Sequence, residues 1–73
     1  MNVNVGKFKE KLYNSGISQK ELAKMIGISE NNLSLKVNGK TRLFTDEVIK
    51  MCEILGIEDD EERSKIFLRK TSQ

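Results

Sequence analysis

Few residues of this 73-residue sequence have the chemistry that catalysis requires. The chain contains no histidine, its single cysteine is Cys52, and it has no glycine-rich phosphate loop or plausible nucleophile–base pair. The usual zinc ligand sets are missing as well. We therefore expect a protein that is not an enzyme, needs no metal or cofactor, and acts by binding, with no small-molecule ligand implied.

The side chains suited to binding are concentrated in residues 17–42, where hydroxyl, carboxamide and basic groups interleave with apolar residues. Residues 1–42 carry a net charge of +5, residues 43–62 a net charge of −7, and residues 63–73 a net charge of +4. A molecule with this charge distribution can turn its basic side toward phosphate groups. Alternatively, the charged blocks are ordinary solvated surface of a small helical domain.

Short helices must position these side chains. Apolar residues spaced three and four apart, the absence of proline and a low aromatic content favour helices over β structure. We expect helix one over residues 4–14, with Phe8 and Leu12 buried and Gly16 as the left-handed residue that ends it.

Three similar start signals predict where the next helices begin. Ser18 and Glu21 match a capping box, while Ser29 and Thr45 are expected to be the N-cap residues of two further helices. An apolar residue before each cap is expected to pack onto a residue within the helix. These pairs are Ile17 with Leu22, Ile28 with Leu33, and Phe44 with Ile49.

Helices two and three are expected over residues 19–26 and 30–37. Gly27 and the two residues after it form a connection so short that the helices must meet at a sharp angle. Ala23 is small, as a close crossing of two helices requires. The residues expected to face the core are Leu22, Ala23, Ile26, Leu33 and Val37.

The C-terminal part predicts two more helices. Helix four is expected over residues 46–55, with Val48, Ile49, Cys52 and Leu55 on its inner side. Helix five is expected to begin near residue 61 and to end near residues 69–70, with a frayed tail at residues 71–73. With no apolar run of membrane-spanning length, no signal peptide and no linker, we expect one cytoplasmic domain over residues 1–73.

Residues 18–40 carry a distinctive pattern, SQKELAKMIGISENNLSLKVNGK. Its main features are Gln19, Glu21-Leu22-Ala23, Gly27, Ser29, Leu33 and Asn38-Gly39-Lys40. The pattern resembles the helix-turn-helix of the Cro/C1 repressor family, also called the XRE family, over roughly residues 5–57. The later N-G-K-x-x-F-T and E-x-x-x-x-C-E-I-L-G-I segments are similar to small phage or prophage regulators. The resemblance implies an all-α, compact five-helix lambda-repressor-like domain, with the helix-turn-helix motif at helices two and three over residues 18–37.

The resemblance also implies that helix three lies in the major groove of double-stranded DNA. With Leu33 and Val37 facing inward, Asn31 is the strongest candidate for reading a base, because a carboxamide pairs bidentately with adenine. The full set of base-reading candidates is Glu30, Asn31, Ser34 and Leu35. The candidates for contact with the DNA backbone are Gln19, Lys20, Asn32, Lys36, Asn38, Lys40, Thr41 and Arg42.

Two departures from the family pattern concern residues near this face. The family often has an apolar residue where Lys36 stands and a polar or basic residue where Leu35 stands. Lys36 can cover the core edge with its stem while its ammonium reaches phosphate. The alternative to base reading is that Asn31 and Asn32 are ordinary surface residues and that Glu30 only interacts favourably with the helix dipole.

Together these features favour a sequence-specific DNA-binding transcriptional regulator, in particular a phage or prophage repressor. One such module is small, so we expect a homodimer, with contacts from Ile54, Ile66, Phe67 and Leu68. Ile66 and Phe67 can equally serve only to close the monomer core. The alternative is a protein-interaction module of the same fold, antirepressor- or antitoxin-like, whose acidic residues 58–62 suit a basic partner.

Overall fold

The computed structural model describes residues 2–68, which form five helices and one two-stranded ribbon. In chain order the elements are β1 (Asn2–Val3), α1 (Val5–Ser15), α2 (Gln19–Ile26), α3 (Glu30–Val37), α4 (Thr45–Leu55), α5 (Asp60–Ile66) and β2 (Phe67–Leu68). The predicted five-helix fold is confirmed, and the ribbon is an addition to it. That residues 1–73 form a single domain stays a prediction.

Helix α1 begins and ends close to the predicted positions. The side chain of Asn4 accepts a hydrogen bond from the Lys7 N–H at 3.1 Å, so Asn4 is the N-cap. Phe8 and Leu12 are buried as predicted, because they lie one helical turn apart on the inner face. Gly16 ends the helix with a φ of 71°, a left-handed conformation that costs glycine little.

Helices α2 and α3 have the predicted bounds and start signals. The Ser18 hydroxyl accepts the Glu21 N–H at 3.0 Å, and the Glu21 carboxylate accepts the Ser18 N–H at 3.0 Å. The Ser29 hydroxyl likewise accepts the Asn32 N–H at 3.0 Å. Between the two helices Gly27 ends α2 with a left-handed φ of 88°, the conformation that the sequence predicted for this short connection.

The start of α4 differs from the prediction that Thr45 is its N-cap, which is wrong. The N-cap position is Phe44, and Thr45 is the first helical residue. The Phe44 N–H donates to Glu47 Oε1 at 2.9 Å. The Glu47 carboxylate therefore caps the start of the helix, although the N-cap residue Phe44 has no hydroxyl. The apolar residues on either side of this cap are Leu43 and Val48, and both are buried.

The inner face of α4 consists of Val48, Met51, Cys52 and Leu55. The prediction that Ile49 lies on this face is wrong, because 48% of its surface is exposed. Residues three, four and seven positions after Val48 share its face, whereas Ile49 is rotated by about 100° around the helix. Met51, which the sequence left unassigned, is fully buried instead.

Helix α5 ends earlier than predicted. It stops at Ile66, and the chain continues as β2, which pairs antiparallel with β1 in the register Val3 opposite Phe67. The prediction that the helix extends to residues 69–70 is therefore wrong from Phe67 onward, while residues 69–73, including the tail expected to fray, lie outside the described residues. The change to a strand lets two consecutive side chains, Ile66 and Phe67, both enter the core.

One apolar core lies between the helices. Its four fully enclosed side chains are Phe8, Leu22, Leu33 and Met51, one from each of α1 to α4. The Phe67 ring meets the Phe8 ring edge-on, with 6.3 Å between the ring centroids. The N-terminal and C-terminal segments are thus fixed to the same core, and α3 rests on it through Leu33 and Val37.

Candidate nucleic-acid interface

Helix α3 presents its N-terminal half to solvent. Leu33 and Val37 anchor the helix to the core, and Glu30, Asn31 and Asn32 are exposed. Ser34 and Leu35 are half-buried. The predicted base-reading residues thus include two exposed side chains, those of Glu30 and Asn31, in the first turn of the helix.

The Glu30 and Asn31 side chains are free to bind another molecule. Within residues 2–68, neither side chain makes a hydrogen bond or an ion pair. The cap of α3 is provided by Ser29, so neither is needed to start the helix. A free carboxamide at the start of an exposed helix can pair with the edge of a base, and a free carboxylate can accept from an amino group.

The C-terminal end of α3 is closed by Asn38. Its side-chain amide donates to the Ser34 carbonyl at 2.8 Å and lies 3.4 Å from the Ser34 hydroxyl. The Asn38 amide, predicted to contact the DNA backbone, therefore caps the last turn of the helix. The following Gly39 has a φ of 76°, which starts the turn into the next segment.

Lys36 points its ammonium inward rather than toward the solvent. Its Nζ lies 2.8 Å from the Arg42 carbonyl oxygen and 3.2 Å from Glu47 Oε1, and it sits 4.7 Å from the centroid of the Phe44 ring. These contacts hold the ammonium within the protein, and its contact with phosphate stays a prediction. A lysine at the edge of the core is stable here because a carboxylate, a carbonyl and an aromatic face surround its charge.

The segment between α3 and α4, residues 38–44, carries the exposed residues Lys40, Thr41 and Arg42. The Lys40 and Thr41 N–H groups both donate to the Leu35 carbonyl, at 2.8 Å and 3.3 Å. The Arg42 guanidinium carbon lies 5.7 Å from the centroid of the Phe44 ring. Two cations and a hydroxyl are thus displayed directly after α3, as a contact with a phosphate backbone requires.

Gln19 and Lys20 occupy the first turn of α2. Lys20 is exposed and Gln19 is half-buried. Because they are the first two residues of the helix, their backbone N–H groups have no acceptor within it. Such a helix start favours an anion, so Gln19 and Lys20 remain candidates for phosphate contact.

A comparison with known protein families decides what this arrangement is. The family of Cro/C1-type HTH DNA-binding domains matches residues 7–60. The chain belongs to this family. The comparisons with curated proteins and with solved structures found no match.

Membership of the Cro/C1-type family makes the chain a DNA-binding regulator whose partner is double-stranded DNA. The match spans α2, α3 and the segment before α4, which contain all of the predicted DNA contacts. In the part of the chain that the structure describes, no helix combines the length and apolar character needed to cross a bilayer.

Charge on this Cro/C1-type domain is divided between paired and unpaired groups. Lys11 pairs with Glu62 at 2.9 Å, which ties α1 to α5, and Arg63 and Lys65 pair with carboxylates of their own helix. Between residues 2 and 68, no ion pair involves the cations Lys20, Lys24, Lys40 or Arg42. Within the same residues Lys7, Lys9 and Lys50 form no ion pair either, so four of the seven unpaired cations lie in α2 or in the segment after α3.

The predicted dimer residues separate into two pairs. Ile66 and Phe67 belong to the monomer core, which agrees with the second of the two roles considered for them. Ile54 is half-buried, and Leu68 is 41% exposed. Leu68 and Ile49 line a groove of about 620 Å³ between α4 and α5, whose floor includes Phe67.

Cys52 lies inside the domain, as its position on the inner face of α4 predicted. Burial raises the pKa of its thiol above the ordinary value of 9.0, the nearby Arg63 guanidinium partly opposes this effect, and Glu62 adds to it. A buried, neutral thiol is a poor nucleophile. Cys52 therefore serves as a small apolar residue of the core.

Sequence reasoning missed the roles of Leu43, Phe44 and Glu47. Leu43 is buried, Phe44 caps α4 and faces two cations, and Glu47 binds both the cap and Lys36. The signal was present in the spacing, because a glutamate three residues after Phe44 fits half of a capping box. The hydroxyl of Thr45 drew the prediction to the next position instead.

Proposed function

We propose that this protein is a sequence-specific repressor of transcription, of phage or prophage type, that reads an operator in the major groove with α3. The observation that carries the proposal is that Glu30 and Asn31, at the start of α3, are exposed and that their side chains form no hydrogen bond or ion pair within residues 2–68. Lys20, Lys40 and Arg42, in the elements on either side of α3, supply charge for phosphate contacts. Base contacts set the sequence preference, and the cations set the position and most of the affinity.

The repressor acts as a homodimer in the cytoplasm, with no enzymatic step and no cofactor. A single module of this size buries about 600–1,000 Å² on DNA, which supports the need for a second copy to obtain useful specificity. The exposed Ile49 and Leu68, at the groove between α4 and α5, are suitable for the contact between copies. Two copies related by a two-fold axis would bind half-sites about 34 Å apart.

The experiment that tests this proposal is an unbiased selection of bound duplexes from a random library, followed by binding titrations. We expect an inverted repeat with half-sites one helical turn apart, and a much weaker affinity for random duplex. A selection that enriches no sequence would refute sequence-specific binding. An enriched site without two-fold symmetry would refute the homodimer but leave the reading role of α3.

A second candidate function is a protein-interaction module of the same fold, antirepressor- or antitoxin-like. It is supported by the exposed acidic residues Glu58, Asp59, Asp60 and Glu61, which would suit a basic partner protein. The same titrations separate the two candidates. Negligible binding to any duplex at low salt would favour the protein-interaction module.

A further inference from the structure

The ammonium of Lys36 is held by groups from two different segments. It donates to the Arg42 carbonyl, which belongs to the segment between α3 and α4, and it pairs with Glu47 in the first turn of α4. The side chains of Lys36 and Glu47 are only 12% and 15% exposed. An ammonium has three N–H donors, so at most one remains for any further ligand.

Glu47 is fixed from both sides. Its Oε1 accepts the Phe44 N–H at 2.9 Å and also lies 3.2 Å from the Lys36 ammonium. As the third residue of α4, its carboxylate is also favoured by the helix dipole. Glu47 therefore joins the end of residues 38–44 to Lys36 near the end of α3.

The exposed residues of this segment lie between its points of attachment. At the start, the Lys40 and Thr41 N–H groups bind the Leu35 carbonyl. At the end, the Arg42 carbonyl binds Lys36, Leu43 enters the core and the Phe44 N–H binds Glu47. The Lys40, Thr41 and Arg42 side chains are left to face solvent on a backbone that is held before any ligand arrives.

We propose that Lys36 and Glu47 form a clamp that holds residues 38–44 in the conformation that contacts the DNA backbone, so that Lys36 is a positioning residue and not a phosphate ligand. This inference rests on the proposed role of Lys40, Thr41 and Arg42 in DNA contact. A segment that is already ordered in the free protein binds DNA more tightly, because no conformational entropy has to be lost for it on binding. If the backbone of one residue has to be ordered on binding, the affinity is lower by roughly 5- to 30-fold.

The two roles of Lys36 predict opposite effects of Glu47→Gln. The amide oxygen of glutamine can still accept the Phe44 N–H, but the charge that holds the ammonium is lost. If the clamp positions the segment, the variant binds DNA roughly 5- to 30-fold more weakly on specific and random duplexes alike. If Lys36 were a phosphate ligand, releasing it would leave binding unchanged or tighter. Glu53→Gln is the matched control, because Glu53 is an exposed residue of the same helix and the change in charge is the same.

Amide hydrogen exchange tests the clamp without DNA. In Glu47→Gln, the Lys40 and Thr41 amides should exchange several-fold faster than in the wild type, while the α2 amides keep their rates. Lys36→Met should give the same pattern, with Lys50→Met as its control on an exposed lysine. Unchanged exchange at Lys40 and Thr41 would overturn the clamp.

The binding titrations complete the test. Faster exchange combined with unchanged DNA affinity would overturn the positioning role, since the segment would then be loosened without effect on binding. If the wild type itself fails to bind duplex DNA, the proposed function fails, and the exchange rates still report whether the clamp exists. Global unfolding of Glu47→Gln by urea should stay cooperative, which separates loosening of residues 38–44 from loss of the fold.

Discussion

Asn31 can be changed without disturbing the fold, which makes it the sharpest probe of how α3 binds DNA. Its side chain is exposed and makes no hydrogen bond within residues 2–68. Replacing it with alanine should therefore alter the free energy of unfolding by no more than about 0.5 kcal/mol, the usual range for such surface positions. Any larger effect on binding then belongs to the interface with DNA.

For binding to the selected operator, Asn31→Ala should cost about 1–3 kcal/mol, the contribution of one bidentate pair with a base. That loss of binding free energy raises the dissociation constant roughly 5- to 150-fold. Affinity for random duplex should stay the same, because a base contact contributes little to non-specific binding. Fluorescence anisotropy titrations on the operator, on operators changed at single positions and on random duplex measure all three quantities.

Asn32→Ala is the matched control for Asn31→Ala. It removes the same carboxamide from the neighbouring exposed position, while the Asn32 N–H keeps its bond to Ser29. Because Asn32 is expected to contact the DNA backbone, Asn32→Ala should weaken binding to all duplexes by the same small factor. It should not relax the sequence preference at any position. If Asn31→Ala also weakens operator and random duplex equally, the assignment of base reading to Asn31 is refuted.

Three further predictions concern stability and assembly. Gly27→Ala should lower the free energy of unfolding by about 1–2 kcal/mol in urea titrations, because its φ of 88° disfavours a side chain although space is free there. Gly6→Ala, within helix α1, should instead raise it by about 0.5–1 kcal/mol, and a loss at Gly6 as large as at Gly27 would contradict this reasoning. Because burial raises the pKa of Cys52, the folded state keeps the thiol proton more firmly than the unfolded state. The contribution of the Cys52 thiol to stability is therefore complete below pH 9.0, and it is lost as the pH rises through the higher pKa of the folded state. Over this range the free energy of unfolding should fall by at most about 1.4 kcal/mol per pH unit. Cys52→Ala should remove this pH dependence. Ile49→Asp and Leu68→Asp should each shift the protein toward monomer in sedimentation equilibrium while leaving the monomer folded, and an unchanged association state would refute a dimer contact at these residues.

The helix-turn-helix region could be predicted residue by residue because its signals are local. Ser18 with Glu21, Ser29 and Gly27 each act on neighbours within a few positions, and the structure places all of them as expected. Phe8, Leu12, Leu33 and Val37 followed from helical spacing alone. Local chemistry and periodicity were sufficient for the helix bounds and the buried residues of this region.

The end of α5 and the direction of the Lys36 ammonium are decided by segments that a local pattern does not include. The end of α5 depends on β1, because the Asn4 N–H donates to the Ile66 carbonyl at 2.8 Å and the ribbon pairs residues 64 and 66 positions apart. No pattern within residues 60–68 indicates that partner. The direction of the Lys36 ammonium similarly depends on Glu47 and Phe44, which lie on the other side of a turn.

The most direct test of the central claim is a binding titration of the intact protein against its selected operator and against random duplex at several salt concentrations. We predict that affinity for both falls steeply with salt, with a slope in log–log form of about −0.9 for each phosphate contacted. We also predict that the operator is bound at least about 10³-fold more tightly than random duplex at physiological salt. Equal affinity for both duplexes, or no measurable binding at low salt, would contradict the claim that α3 reads a DNA sequence.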